Sequence, residues 1–217
     1  MKRSLIARTI AYLALAVLIS MLAGCASNDE SGPSGEAKQP VSTSGSPVDA
    51  LTQSMRAHIA TKSYRVRITS SNPNIPGETL VEFVAPDRLH ISSQIGETIA
   101  VGSDSYTRRG QGPWQKDPID ASQIVAKFRD PNRVDDMAKN YDVKLIGPNT
   151  LDGVPVVVYE YTTKNPSAVT PAEKTKIWIG ADDSLPRKME TESLTDKSVL
   201  TRIFSDYNAD IKINLPV

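Results

Sequence analysis

The spacing of apolar residues changes several times along this chain, and each change marks a structural boundary. From Ile10 to Leu22 every residue except Ser20 is apolar or aromatic. From Asn28 to Ser46 almost none is. Val48, Leu51, Met55 and Ile59 then recur at intervals of three or four, the period of a helix with one buried side. Ser46-Pro47-Val48-Asp49 supplies the start signals: serine at N-cap, proline at N1 and an acid at N3. The spacing predicts a helix from there to about Lys62.

After Ser63 the period falls to two. Val66 and Ile68 alternate within Tyr64 to Ser70, Val81 and Phe83 within Thr79 to Ala85, and Leu89, Ile91 and Ile95 within Arg88 to Ile95. Shorter strands follow at Thr98 to Gly102, Ser105 to Arg109 and Trp114 to Lys116. Pro73 to Gly77, Pro86-Asp87, Gly96-Glu97, Ser103-Asp104 and Gly110 to Pro113 are the turns between them. Successive short strands joined by such turns predict an antiparallel meander.

The middle returns to a helical period. Asp120 and Gln123 cap a segment in which Ile124, Val125 and Phe128 share a side, and Pro131 is read as its end. Val134, Met137, Ala138 and Tyr141 predict a second short helix. Strands resume at Val143 to Ile146, with turns at Gly147-Pro148 and Leu151-Asp152-Gly153, then at Val154 to Thr163, Lys174 to Ile179, Arg187 to Leu194 and Val199 to Tyr207. Ile211, Ile213 and Leu215 are placed on a closing edge. The expected fold is α+β: a strongly curved antiparallel sheet of about 11 strands, an unclosed half-barrel, with an N-terminal helix and a helical lid insertion. A sheet this large curls. A helix in its concave side leaves an interior that is easily incomplete.

The first residues are read as an address. Lys2, Arg3 and Arg8 precede the apolar run, which at thirteen residues is shorter than the ~20 an ordinary membrane-spanning helix needs. Leu22-Ala23-Gly24-Cys25 resembles the bacterial lipobox, which implies a diacylglycerol thioether on Cys25, the lipid attachment residue, and an acyl chain such as palmitate on its amino group. Two or more chains hold a protein on a membrane, at ~0.8 kcal/mol per buried CH2. Residues 1–24 are therefore expected to be a lipoprotein signal peptide, residues 25–46 a lipidated flexible tether, and residues 47–217 one domain. Ala26 after the cysteine favours, by the same resemblance, the outer membrane facing the periplasm. The alternative is an ordinary export signal with a chance cysteine.

Charge narrows the partners. The chain carries 25 basic and 25 acidic residues; without the three basic residues of the signal, 22 face 25, a net of −3. That argues against a nucleic-acid partner, which asks for a basic stripe. Cys25 is the one cysteine, so the domain must hold together without disulfides.

Three stretches carry a family resemblance. Val81 to Leu89, Ile99 to Tyr106 and Gly112-Pro113-Trp114 are similar to the first half of the LolA/LolB/LppX group of lipoprotein and lipid carriers. Ile146-Gly147-Pro148 to Val158-Tyr159, Lys176 to Ile179 and Leu185 to Glu190 are similar to its second half. The resemblance covers about Val48 to Val217 and implies a half-barrel, covered by helices, that holds acyl chains. It makes Val81, Phe83, Leu89 and Ile91 candidates for the cavity wall, and Ile124 and Phe128 candidates on the lid. Packed core is the commoner role for such residues, and the two roles use the same side chains. The soluble carrier of that group has an arginine on the strand after the proline, which is thought to latch its lid. The nearest matches here are Arg88 and His90.

Catalytic patterns are weak. His58 and His90 are the only histidines and have no metal-ligand spacing around them. No nucleophile elbow is present. Asp135-Asp136 and Asp182-Asp183 are sequence neighbours that point different ways and read as a solvated face and a turn. Arg108-Arg109 could meet a lipid headgroup, and Trp114 and Trp178 could line a pocket; a solvated strand end and strand packing are the commoner roles. The expectation is a non-enzymatic, cofactor-free envelope lipoprotein, held to the membrane through Cys25, that binds a lipid or lipoprotein acyl chains for transport or retention. The alternative is an envelope sensor that binds a protein partner on the same fold, as related anti-sigma regulators do.

Overall fold

The computed structural model describes residues 45–216 other than 76, 119, 127–128 and 168–170, with the backbone alone at 124 and 133. The signal segment, Cys25, most of the tether and Phe128 lie outside the described residues, as does the side chain of Ile124.

Helix α1 spans Pro47–Ile59. The Ser46 hydroxyl oxygen accepts the Asp49 N–H at 3.3 Å and donates to the Asp49 carboxylate at 2.6 Å, with Pro47 in the first turn. The helix stops short of Lys62. The Ala60 N–H reaches the Arg56 carbonyl and the Thr61 hydroxyl donates to that of His58 at 2.8 Å. Its deepest stripe is Ala50, Leu51, Ser54 and His58. Val48, Met55 and Ile59, expected at the centre of the buried face, are half-buried on its flank.

The strands are β1 (Ser63–Ser70), β2 (Glu78–Val84), β3 (Arg88–Ser93), β4 (Gly96–Val101), β5 (Asp104–Arg109), β6 (Gln115–Lys116), β7 (Tyr141–Leu151), β8 (Val154–Thr163), β9 (Glu173–Gly180), β10 (Pro186–Ser193) and β11 (Val199–Ser205). All eleven form one antiparallel sheet in the order β6-β5-β4-β3-β2-β1-β11-β10-β9-β8-β7. The first six wind outward from β1 to one edge. Three short helices, α2 (Ser122–Ala126), α3 (Pro131–Asp135) and α4 (Met137–Asn140), carry the chain to the opposite edge, and the last five strands wind back until β11 pairs with β1. Edges β6 and β7 do not pair with each other, so the curved sheet is an unclosed half-barrel.

Four local expectations are corrected. Pro131 opens α3 instead of ending a helix: Asp130 caps it by accepting the Asn132 N–H at 3.0 Å, and the first helical position needs no N–H. The second predicted helix is two, and Tyr141 already belongs to β7. Gly147-Pro148 does not turn the chain: β7 bulges at Ile146, the register shifting between Leu145 and Gly147, and Gly147 and Pro148 then pair with Val158 and Val157; proline is tolerated there because β7 is an edge strand. The expected turn at Asp152-Gly153 is a two-residue hairpin with both φ positive, 50° and 82°. Ile211 and Ile213 are buried without forming a strand. Their segment is tied down by the Asn208 N–H on the Ser63 carbonyl at 2.9 Å and by the Arg88 guanidinium on the Ile213 carbonyl at 2.6 Å.

The core is divided. One cluster joins Tyr64, Val66, Ile68, Val81, Phe83, Leu89, Ile91 and Ala100 of β1 to β4 with Ala121 and Val125 of the insertion. The other joins Val157, Tyr159, Tyr161, Ile177, Ile179 and Met189 of β8 to β10 with Ala50 and Leu51 of α1 and Met137 of α4. Half-buried Phe204 of β11 packs against both.

Candidate functional site: the concave face

Strand alternation fixes which side chains share the inner face. Tyr64, Val66 and Ile68 of β1 lie on it. Pairing carries that face to Phe83, Val81 and Thr79 on β2, to Leu89, Ile91 and Ser93 on β3, and to Ala100 and Thr98 on β4. In the other direction it passes to Phe204, Arg202 and Leu200 on β11, Met189 and Thr191 on β10, Ile177 and Thr175 on β9, and Tyr159 and Tyr161 on β8.

The face is graded from one end to the other. At the lower end, where β1 begins, it is aromatic and aliphatic. Tyr64 stacks on Phe83 with centroids 5.2 Å apart, and the His58 ring lies 4.4 Å from Tyr64 and 5.3 Å from Phe204. On the wing of β8 to β11 hydroxyls take over toward the end of β1, where Thr175 and Thr191 are hydrogen-bonded at 3.0 Å. On the other wing polar groups sit lower: Thr98 and Thr107, bonded at 3.2 Å, lie level with Val66, and Ser105, level with Tyr64, donates with Thr107 to the Asp117 carboxylate. Helix α1 runs against this gradient: its C-terminal His58 sits at the lower end, while Val48 and Ala50 lie in the cluster containing Tyr141, Val143 and Tyr161. The chain therefore enters the domain at the upper end.

The four wall candidates share the inner face and one cluster: Val81, Phe83, Leu89 and Ile91 are all buried. Val125 of the insertion, also buried, covers them. The Arg129 guanidinium lies 5.5 Å from the Phe83 ring centre. His58 is held neutral, its pKa pushed down to about 4 by burial first and by the Arg129 charge second. Because the Tyr207 hydroxyl donates to the Pro186 carbonyl at 2.9 Å, the 3.2 Å contact between His58 Nδ1 and Tyr207 is a donation from the imidazole.

One charged side chain on this face escaped the sequence reading. Arg202 is only 6% exposed, with Ile68 and Met189 as cross-strand neighbours. Its Nη1 donates to the Thr191 hydroxyl at 3.2 Å. Burial pulls its pKa down, opposed by Tyr161 and Glu173, and burial pushes the Glu173 carboxyl upward, opposed by Arg202. In the sequence Val199 to Ser205, Leu200, Arg202 and Phe204 fall on one parity and Val199, Thr201 and Ile203 on the other. Both parities are partly apolar, so periodicity could not choose the inner one.

The latch candidates lie elsewhere. Arg88 holds the C-terminal segment. His90 lies on the outer face between Glu82 and Glu97, its ring nitrogens 2.9 and 3.3 Å from their carboxylates. The row continues to Arg65 on one side and Arg108 on the other, and Arg108 stacks on Trp114 at 4.8 Å. Trp178 is also on the outer face, under Lys188 at 4.9 Å. Neither tryptophan lines the hollow. Among the described residues no group of three or more His, Cys, Asp or Glu could hold a metal ion, and no helix is long and apolar enough to cross a membrane.

No protein-family model matches the chain, and no curated protein sequence matches it. Solved structures do. LprF from Mycobacterium bovis superposes with a TM-score of 0.60 at 16% identity, over 78% of this chain and 96% of that one. The Mycobacterium tuberculosis lipoprotein LppX superposes with a TM-score of 0.58 at 12% identity, over 77% of this chain and 97% of that one. At these identities the likeness is one of fold.

Proposed function

We propose that this chain, with its LolA/LppX-like fold, is an exported envelope lipoprotein that shelters a lipid or lipoprotein acyl chain against its concave face for transport or retention. It is anchored through Cys25 on a tether that ends where α1 begins, at the outer membrane facing the periplasm. The observation that carries this reading is the divided interior. Among the described residues, two apolar clusters on the inner face of an unclosed sheet share one half-buried neighbour, Phe204. An apolar chain laid between them would be stabilised by desolvation, at ~0.8 kcal/mol per buried CH2. Val81, Phe83, Leu89 and Ile91 are the proposed wall. Nothing in this role requires bond making or breaking, so the reading is non-enzymatic.

A fluorescent fatty-acid probe tests it: saturable binding, displaced by unlabelled lipid, supports the carrier. No probe binding, together with a pull-down that returns one specific envelope protein, would favour a sensor. One feature favours that second reading. Edge strand β7 exposes Leu145 (45%) and Ile146 (57%) beside unpaired backbone, a surface suited to strand addition.

A further inference from the structure

We infer that the long edge of the sheet is a self-association surface: β7 of one copy pairs antiparallel with β7 of a second copy, with Val143 opposite its counterpart. This goes beyond the carrier reading and does not depend on it.

Strand β7 pairs with β8 on one side, and its other side is an edge of the sheet. The Lys164 N–H donates to the Asn140 carbonyl at 2.9 Å. Backbone groups alternate in direction along an antiparallel strand. Asp142 and Lys144 therefore also turn theirs toward β8, and Val143 and Leu145 turn theirs to the open side. The usable run is short. At its start the Tyr141 N–H is held by the Met137 carbonyl of α4. Beyond Leu145 the strand bulges, and Pro148 has no N–H to offer. Such devices guard an edge against indiscriminate pairing, and they leave a stretch centred on Val143.

Two rows of side chains define what fits there. On the outer face Glu190, Lys176, Glu160 and Lys144 stand opposite one another across β10, β9, β8 and β7. Their signs alternate, and the row stops at the edge on a lysine. On the inner face Met189, Ile177, Tyr159 and Leu145 form the adjacent row, which stops on a leucine that is 45% exposed. A strand that continues both rows carries an acid opposite Lys144 and an apolar body opposite Leu145. Strand β7 itself, run antiparallel, supplies both in one alignment. With Val143 facing its counterpart, Lys144 meets the second copy's Asp142, and Leu145 meets the second copy's Tyr141. The two-fold axis makes each contact twice. Moving the axis to Asp142 or to Lys144 sets like charges opposite each other, which is unfavourable. The Asp142 side chain is 70% exposed, and its ion pair with Lys164 is long, at 3.7 Å, so the carboxylate is accessible to a second lysine.

Sedimentation of the detergent-solubilised full-length protein is expected to show a concentration-dependent dimer. Asp142→Lys and Lys144→Asp each set like charges opposite one another at both outer pairs, and each should weaken the dimer by about tenfold or more. Mixed together, the two variants have opposite charges at both pairs and should associate again. Both positions are exposed, so folding is retained. Val143→Cys, oxidised mildly in membranes carrying the protein, should give a disulfide-linked dimer. Facing Cα atoms in such a ladder lie about 5.5 Å apart, within disulfide reach. The parent chain, whose one cysteine is Cys25, is the control. A protein that stays monomeric and does not cross-link overturns the inference. So does a dimer that the charge variants leave unchanged, or one that the mixed variants fail to restore. A monomer that captures a foreign protein, and loses it in Lys144→Asp, also overturns it and gives the edge to a different occupant. The fatty-acid probe judges the carrier reading separately.

Discussion

Ile68 on β1 and Arg202 on β11 face each other across the seam where the two wings of the sheet meet, and each is 6% exposed. An aliphatic and a cationic side chain are therefore equally buried at the centre of the inner face. The cation is held by its Nη1 donation to the Thr191 hydroxyl, with Tyr161 and Glu173 nearby. Replacing a buried charge by an apolar side chain of similar length is often neutral or stabilising. Arg202→Met should accordingly leave the denaturation midpoint unchanged or raise it, by up to about 2 kcal/mol. A loss of 3 kcal/mol or more, on the order expected for breaking a buried pair, would mean that Arg202 is a structural keystone.

Phe83 makes the opposite case. It is 1% exposed, stacks on Tyr64 and lies beneath Arg129. Phe83→Ala should cost about 3 to 5 kcal/mol in urea unfolding, because the sheet cannot collapse around the lost ring. A cost below about 1 kcal/mol would mean that the space beneath it is already open.

His58 couples stability to acidity. Its folded pKa lies near 4, against 6.5 ordinarily. Between these values the unfolded chain binds a proton that the folded protein refuses. The stability this contributes is complete above about pH 6.5 and is lost as the pH falls toward 4, by at most about 3 kcal/mol. Tyr64, Phe204, Tyr207 and Arg129 are the groups around the ring, and none of them offers a carboxylate. Urea midpoints at pH 7 and pH 5 should differ in the wild type and converge in His58→Gln. Equal slopes in the two proteins would place the effect elsewhere.

The anchor is tested separately from the domain. Cys25→Ser should move the protein from the detergent phase to the aqueous phase on phase partitioning, with the domain's unfolding transition unchanged. Continued partitioning into detergent would contradict lipidation at that residue.

The strand order could be read in the sequence because one face of nearly every strand is apolar and its turns carry Gly, Pro or Asp. The meander from Ser63 to Lys116 is recovered to within a residue or two, with one exception. The turn read at Gly96-Glu97 falls at Gln94-Ile95, so that Gly96 and Glu97 belong to β4 and Ile95, expected beside Leu89 and Ile91, is 41% exposed. What failed was punctuation that can be read two ways. Pro131 can end one helix or open the next, and Gly147-Pro148 can turn a strand or bulge it. The wall residues Val81, Phe83, Leu89 and Ile91 could be read because their alternation is clean. Arg202 could not, because a charged residue in a mixed strand is assigned to solvent unless the pairing register is known. The buried stripe of α1 was displaced for a related reason. A helix lying in a concave sheet touches walls on two sides, so Ser54 and His58 enter the interior while Met55 and Ile59 fall on the flank.

The most direct measurement of the central claim is native mass spectrometry of the protein purified without harsh detergent. If the concave face shelters an apolar chain, the spectrum should show the protein with an added mass in the lipid range, released on activation and absent after delipidation. A single peak at the bare protein mass that no added lipid displaces would contradict it.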